Sequence, residues 1–448
     1  MRASLPQLLL LGSLALCASA CSWSRFEDVT KDSPVVLLEK PDSMNSGFGV
    51  SLSTATNAGQ TRVLVGGTAT ASNAALFELG QGDAPQTATI DTNYCTGKSG
   101  PCSLSSLTAG FANATGPDAE HRLCFAVGSG ALQQQGLVMR CDDHTEYALA
   151  MPQAAQDRLA ATIAANKPED YPMATDRKDD PLLLASLPEL RLAWFYPPKS
   201  TVFSELVPPS GLAVDDPSFG RALAVLAVDG GHVLALGVSG KSQVLLWKTD
   251  DRANVSYIGC LGEGPGTGRA LASGNVNNDG SDDLVIADDS SVQVLSGATL
   301  FALPETDSSE CVAPGTISGA LLGWFGCVAT STATDCDKSE FGAALAVGDL
   351  DGDGRGEVIV GAPKMTVRGE KNAGALLVYT MKSTMAGSLV DTKFISSAES
   401  GDELGRSIVT PRLANRDIIA AGAPGHGKAA LFYCSSLLGH SAASARCH

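Results

Sequence analysis

Asp349-Leu350-Asp351-Gly352-Asp353-Gly354-Arg355-Gly356-Glu357, with Phe341-Gly342 before it and Val358-Ile359-Val360-Gly361-Ala362-Pro363 after it, decides how this chain is read. Oxygen-bearing side chains recur at every second position, a glycine follows, and another carboxylate closes the run. A hard cation such as Ca²⁺ takes about six to eight oxygens at short range, and a loop of this pattern supplies them by folding round one point. Gly354 has no Cβ and accepts the positive φ that the sharp turn demands. Positions one, three, five and nine would give side-chain oxygens, and position seven (Arg355) its carbonyl.

The spacing starts like an EF-hand but does not finish like one. An EF-hand needs a bidentate Glu at position twelve and a helix on each side. Position twelve here is Val360, and the flanks, Ala344-Leu345-Ala346-Val347 and Val358-Ile359-Val360, read as strands. A second copy, Asn275-Val276-Asn277-Asn278-Asp279-Gly280-Ser281-Asp282-Asp283, precedes Leu284-Val285-Ile286 with the same spacing. One such loop is as readily a solvated turn. Two in the same strand–loop–strand context favour a cation.

The run from Phe341-Gly342 through Asp349 to Glu357 and on to Gly361-Ala362-Pro363 resembles the FG-GAP repeat of integrin α-subunit β-propellers and their bacterial relatives. In that family the loop joins the first two strands of a blade and binds Ca²⁺. The resemblance implies Asp349, Asp351, Asp353, Arg355 (carbonyl) and Glu357 as one ligand set, and Asn275, Asn277, Asp279, Ser281 (carbonyl) and Asp283 as another. Glu357 stands where the family usually has Asp, and Asn275 and Asn277 replace carboxylates. Charge count tunes Ca²⁺ affinity, so the first site is expected to be the tighter.

The flanking sequence repeats the same punctuation. Units begin at Phe48-Gly49, Arg122, Leu190, Phe219-Gly220, Gly268-Arg269, Phe341-Gly342 and Leu404-Gly405, and from Phe48 to Leu404 they average about 59 residues. Each is mostly alternating strand with small residues at strand ends. A small sheet cannot bury both faces alone, so such units stack radially. The expected fold is an all-β, seven-bladed β-propeller with Ca²⁺-binding hairpin loops. Val35-Val36-Leu37-Leu38-Glu39 is the candidate to complete the last blade. A β-sandwich leaves the regular Gly-Ala-Pro punctuation unexplained. One short helical insertion interrupts the repeats at about 151–181: Gln153 to Asn166 is Ala-rich and helical in pattern, and Lys167 to Pro181 reads as a charged loop. A second long connection, Thr306 to Ser339, carries Trp324-Phe325, either as a contact surface or packed under its own loop.

At 448 residues with a net charge of −17, the chain can bury a large core and is poorly suited to nucleic acid, whose phosphates call for Lys and Arg. Residues 1–20 read as a lipoprotein signal peptide: Arg2, an apolar core from Leu8 to Leu16, then Ala18-Ser19-Ala20-Cys21, with Cys21 the lipidation candidate. Ordinary cleavage near Ala20 is the alternative. Residues 21–33 form a tether and 34–448 the propeller. Of 12 cysteines, ten besides Cys17 and Cys21 are disulfide candidates: Cys95, Cys102, Cys124, Cys141, Cys260, Cys311, Cys327, Cys336, Cys434 and Cys447. Connectivity is not fixed by sequence, and pairing neighbours in order would give five local staples. Zinc is disfavoured because no Cys-x-x-Cys pair occurs.

No nucleophile elbow, zincin motif or phosphate-cradling loop is found. The six histidines (121, 144, 232, 426, 440 and 448) are scattered. The expectation is a calcium-stabilised, extracytoplasmic binding, adhesion or scaffold protein of the cell envelope rather than an enzyme. It would be a lipoprotein of the outer membrane or cell surface, meeting a protein or surface-glycan ligand and touching the membrane only through its anchor. The alternative is a propeller hydrolase or lyase that uses acids in its central channel.

Overall fold

Period-two apolar runs become strands. The computed structural model describes residues 35 to 433, apart from segments of which the largest are 92–108, 112–123, 129–136 and 165–171. The targeting segment, the tether and Cys21, Cys95, Cys102, Cys434 and Cys447 therefore lie outside the described residues. Among the described residues the strands make six four-stranded sheets, one five-stranded sheet and a two-stranded ribbon, Ala333–Thr334 with Thr366–Val367. No helix among them is long and apolar enough to cross a membrane.

The larger sheets are numbered here in chain order by their first strands. They are Ser51–Asn57 (sheet 1), Ala109–Phe111 (2), Met173–Thr175 (3), Phe219–Val228 (4), Ala270–Gly274 (5), Leu345–Gly348 (6) and Ser407–Val409 (7). These first strands lie side by side in that order, and the strand of sheet 7 returns to that of sheet 1. The architecture is a β-propeller. Its circle closes as the sequence suggests: Val35–Leu38 pairs antiparallel with Lys428–Phe432, Val35 opposite Phe432, as the outermost strand of sheet 7.

The core is divided among the sheet interfaces instead of gathering at one centre. Between sheets 5 and 6, Val285, Val294, Phe325, Phe341, Val360, Leu377 and Tyr379 pack as one cluster. Between sheets 6 and 7, Ile359, Leu376, Val378, Ile419 and Phe432 do the same. Middle strands such as Glu357–Ala362 and Ala375–Thr380 face a neighbouring sheet on both sides, and every residue in them is buried. That explains why they read as continuous apolar runs.

Four sequence expectations need correction. The second unit begins at Ala109–Phe111 and not at Arg122, and the third does not begin at Leu190. Its inner strands are Met173–Thr175 and Leu183–Leu187, followed by Leu192–Tyr196 and an edge at Ser204–Glu205. The insertion is accordingly shorter than 151–181: its helix spans Gln153–Ala164, and Met173–Thr175 already belongs to the sheet. A three-residue strand between charged and proline-bearing stretches shows no alternation to detect. The connection Thr306 to Ser339 is likewise not a plain loop. Leu321–Gly326 is the outermost strand of sheet 5, and Cys311–Val312 adds in parallel to sheet 4.

Three disulfides lie among the described residues: Cys124–Cys141, Cys260–Cys311 and Cys327–Cys336. Each joins neighbours in sequence order. The first ties paired strands of sheet 2, and the second fixes the added strand onto sheet 4.

Candidate metal centre

The two oxygen-rich stretches fold as equivalent hairpins. In sheet 6, Gly348 pairs with Glu357; in sheet 5, Gly274 pairs with Asp283. Both loops therefore leave and re-enter their sheets at matching residues. Gly354 and Gly280 take φ of +86° and +87°, so each loop turns at the glycine the spacing indicates. In both hairpins the loop's own side-chain oxygens accept backbone N–H groups and organise the turn.

In the sheet 6 loop, Gly352 and Gly354 donate N–H groups to the Asp349 carboxylate at 2.8 and 3.1 Å. Asp353 donates its N–H to Asp351 at 3.1 Å, and Arg355 donates to Asp353 at 2.8 Å. These bonds turn the side chains inward. Asp349, Asp351 and Asp353 each place one carboxylate oxygen within 4.8 Å of the other two. Ligands that meet one Ca²⁺ at about 2.3–2.6 Å lie no more than about 5 Å apart, so this donor set fits the ion in size and in hardness. Without a counter-charge the same grouping is electrostatically unfavourable.

Glu357 stands behind the three. It is buried, and its Oε2 accepts the N–H of Leu350 at 3.0 Å. Burial pushes its carboxyl up to about 8; the Leu350 bond opposes this, and the charges of Asp351, Asp353 and Asp349 add to it. A buried carboxylate under this load is a chemical reason for a cation at its open side.

The sheet 5 loop copies the scaffold with weaker donors. Asn275 accepts N–H groups from Asn278 and Asp279 at 2.7 and 3.3 Å, Asn277 accepts from Asp279 at 3.0 Å, and Asp279 accepts from Ser281 at 2.8 Å. The Asn277 amide also donates to the second oxygen of Asp279 at 2.9 Å, a bond that an ion would have to displace. Asp283, fully buried, accepts from Val276 at 2.9 Å as Glu357 does from Leu350, but its other oxygen accepts from Gly297 at 3.2 Å. Burial pushes it up to about 7, against those two bonds and with the charges of Asp279 and Asp282. Both its oxygens thus already serve the backbone.

Sequence reasoning overlooked the residues that tie these hairpins to their neighbours. The N–H of Asp282 bonds the carbonyl of Ala227 in sheet 4 at 2.8 Å, that of Gly356 bonds Asn275 at 2.7 Å, and that of Asp417 bonds Asp349 at 2.7 Å. A signal was available: each donor comes immediately before, or two residues before, the second strand of its sheet. In sheet 7 the residue that presents its carbonyl to the next sheet, as Asn275 and Asp349 do, is Arg412, which accepts the hydroxyl of Thr61. A guanidinium takes the place of a first ligand there, and Arg412 pairs with Asp417 at 3.2 Å.

The axis of the ring holds a cavity of about 560 Å³ whose wall mixes apolar side chains such as Ala55, Ala224 and Ile408 with polar ones such as Thr54, Ser273 and Thr410. Of its acids, Asp176 bonds His232 at 2.7 Å through one oxygen while its other oxygen is buried without a hydrogen-bond partner among the described residues, and Asp417 bonds Arg412 and the Asp349 N–H.

Residues 341–379 match the FG-GAP repeat family. No curated protein matches the sequence. Among solved structures, selenomethionine-substituted virginiamycin B lyase from Staphylococcus aureus is similar at 8% identity and TM-score 0.49, covering 90% of this chain and 99% of its own. The β-propeller domain of Cps50 (Swd1) from Myceliophteria thermophila is similar at 13% identity and TM-score 0.47, covering 90% and 100%.

Proposed function

We propose that this chain is a Ca²⁺-stabilised, seven-bladed FG-GAP propeller that works by binding, as an adhesion or scaffold protein outside the cytoplasm, held at the cell surface by a lipid on Cys21. The observation that carries the reading is the convergence of Asp349, Asp351 and Asp353 in a hairpin within the stretch that matches the FG-GAP repeat. Disulfides and the signal-like N-terminus favour export.

When bound, Ca²⁺ would supply positive charge and a rigid coordination point. Asp349, Asp351 and Asp353 would hold it, with Glu357 behind them and the carbonyl of Arg355 completing the set. The sheet 5 loop, with two amides and a fully engaged Asp283, would bind more weakly. An ion that binds only the folded chain raises its stability by mass action.

Binding is favoured over catalysis because both channel acids are already held, Asp176 through one oxygen by His232 and Asp417 by Arg412 and the Asp349 N–H. The ligand would be a protein or a surface glycan. Thermal melting with Ca²⁺ and with chelator tests the ion. A higher melting temperature with Ca²⁺ supports the reading, and identical curves remove it. Export and anchoring are tested by finding lipid on Cys21 in the mature chain.

A further inference from the structure

Resting on that reading, we propose that Asp417 is a positioning residue for the Asp349 cation loop and couples Ca²⁺ binding there to the docking of sheet 7, which closes the ring.

The contact is reciprocal. The Asp349 N–H donates to the Asp417 carboxylate at 2.9 Å, while the Asp417 N–H donates to the Asp349 carbonyl at 2.7 Å. Both backbone polar groups of Asp349 are thereby fixed by the next sheet, and its side chain is fixed within its own loop by Gly352 and Gly354. Asp417 is itself immobilised: it is 1% exposed, and Arg412 holds its other oxygen.

Among the described residues the same two-bond clasp is seen between Ala227 and Asp282, whose carboxylate accepts the Ala227 N–H at 3.0 Å. Ala227 carries no ligand atom in its side chain. At the interface between them, Gly356 has no side chain to reach back and makes only the backbone bond to Asn275. Of these three interfaces, only that of sheets 6 and 7 sets a carboxylate arm on a candidate first ligand.

Sheet 7 also carries the strand pairing that joins Val35–Leu38 to Lys428–Phe432. Coupling between two sites is reciprocal. If the clasp orients Asp349 for the ion, the ion in turn holds sheet 7 and the ring closure against opening. Groups that orient a ligand from behind typically matter about 10–100-fold in metal affinity.

The test uses the full chain and Ca²⁺ alone. Calorimetric titration gives affinity, and hydrogen exchange reads the amides of residues 35–38 and 419–432. Two variants are compared with the parent: Asp417→Asn, and Arg412→Met, which leaves both backbone bonds and removes a half-exposed partner. The expected result is Ca²⁺ affinity lower by about tenfold or more in Asp417→Asn, a smaller loss in Arg412→Met, and Ca²⁺-dependent protection of sheet 7 in the parent that shrinks in both. Should Asp417→Asn fail to fold, Arg412→Met decides. Parent-like affinity and protection in the folded variants overturn the proposal while leaving the Ca²⁺ site standing. A parent chain that does not bind Ca²⁺ overturns both.

Discussion

Gly361 of sheet 6 lies directly against Gly405 of sheet 7: a Cβ built on Gly361 would overlap the carbonyl oxygen of Gly405. The pairs Gly422 with Gly49 and Gly237 with Gly268 repeat the contact at other interfaces. This gives the recurring glycines a physical meaning. The glycine that opens one unit turns with positive φ and pushes its carbonyl onto a bare Cα in the preceding sheet.

Gly361→Ala should therefore destabilise the fold, since the obstructing atom is backbone and cannot rotate aside. A loss of about 1–3 kcal/mol is expected, as for other overpacked sites. Denaturant unfolding of the variant checks this, and an unchanged midpoint would show that the sheets move apart at little cost.

Adjacent residues of one strand should answer differently to truncation. Phe325 is buried and stacks on Tyr379 with ring centroids 4.2 Å apart, whereas Trp324 is 54% exposed. Phe325→Ala should cost about 3–5 kcal/mol. Trp324→Ala should stay within about 0.5 kcal/mol. Similar losses in the two would mean that Trp324 is covered in solution.

The disulfides should rank by the loop each closes. Cys260–Cys311 spans 51 residues and Cys327–Cys336 spans 9. Chain entropy gives about 4 kcal/mol for the first and about 2.5 kcal/mol for the second. Double serine replacement of each pair, followed by equilibrium unfolding, measures the difference. The reverse order would point to structure retained by the reduced chain.

The pH dependence of the cation-free protein follows from Glu357, which burial raises from 4.5 to about 8. The folded state then holds a proton that the unfolded state has released. Stability is full below pH 4.5 on this group's account and falls as pH rises toward 8. Because Ca²⁺ must displace that proton, affinity should climb over the same window. Melts of chelated protein across it should slope downward, and Glu357→Gln should flatten the slope.

Much of this was legible in the sequence, for reasons that particular residues make plain. The oxygen spacing of Asp349 to Glu357, repeated at Asn275 to Asp283, located both hairpins because a loop folded round one point needs that alternation whether or not an ion is present. Val35–Leu38 declared itself as an unpaired strand. Met173–Thr175 and Cys311–Val312 did not, since strands of two or three residues are set by their partners and carry no period of their own. Asp417, Asp282 and Arg412 were invisible for another reason: their roles depend on which hairpin stands beside them.

Titration of the chelator-stripped chain with Ca²⁺, beside an Asp351→Asn/Asp353→Asn double variant, tests the central claim most directly. Saturable binding in the parent, with the tighter site lost in the variant, is the predicted result. No binding by the parent, or binding that survives both replacements, would contradict it.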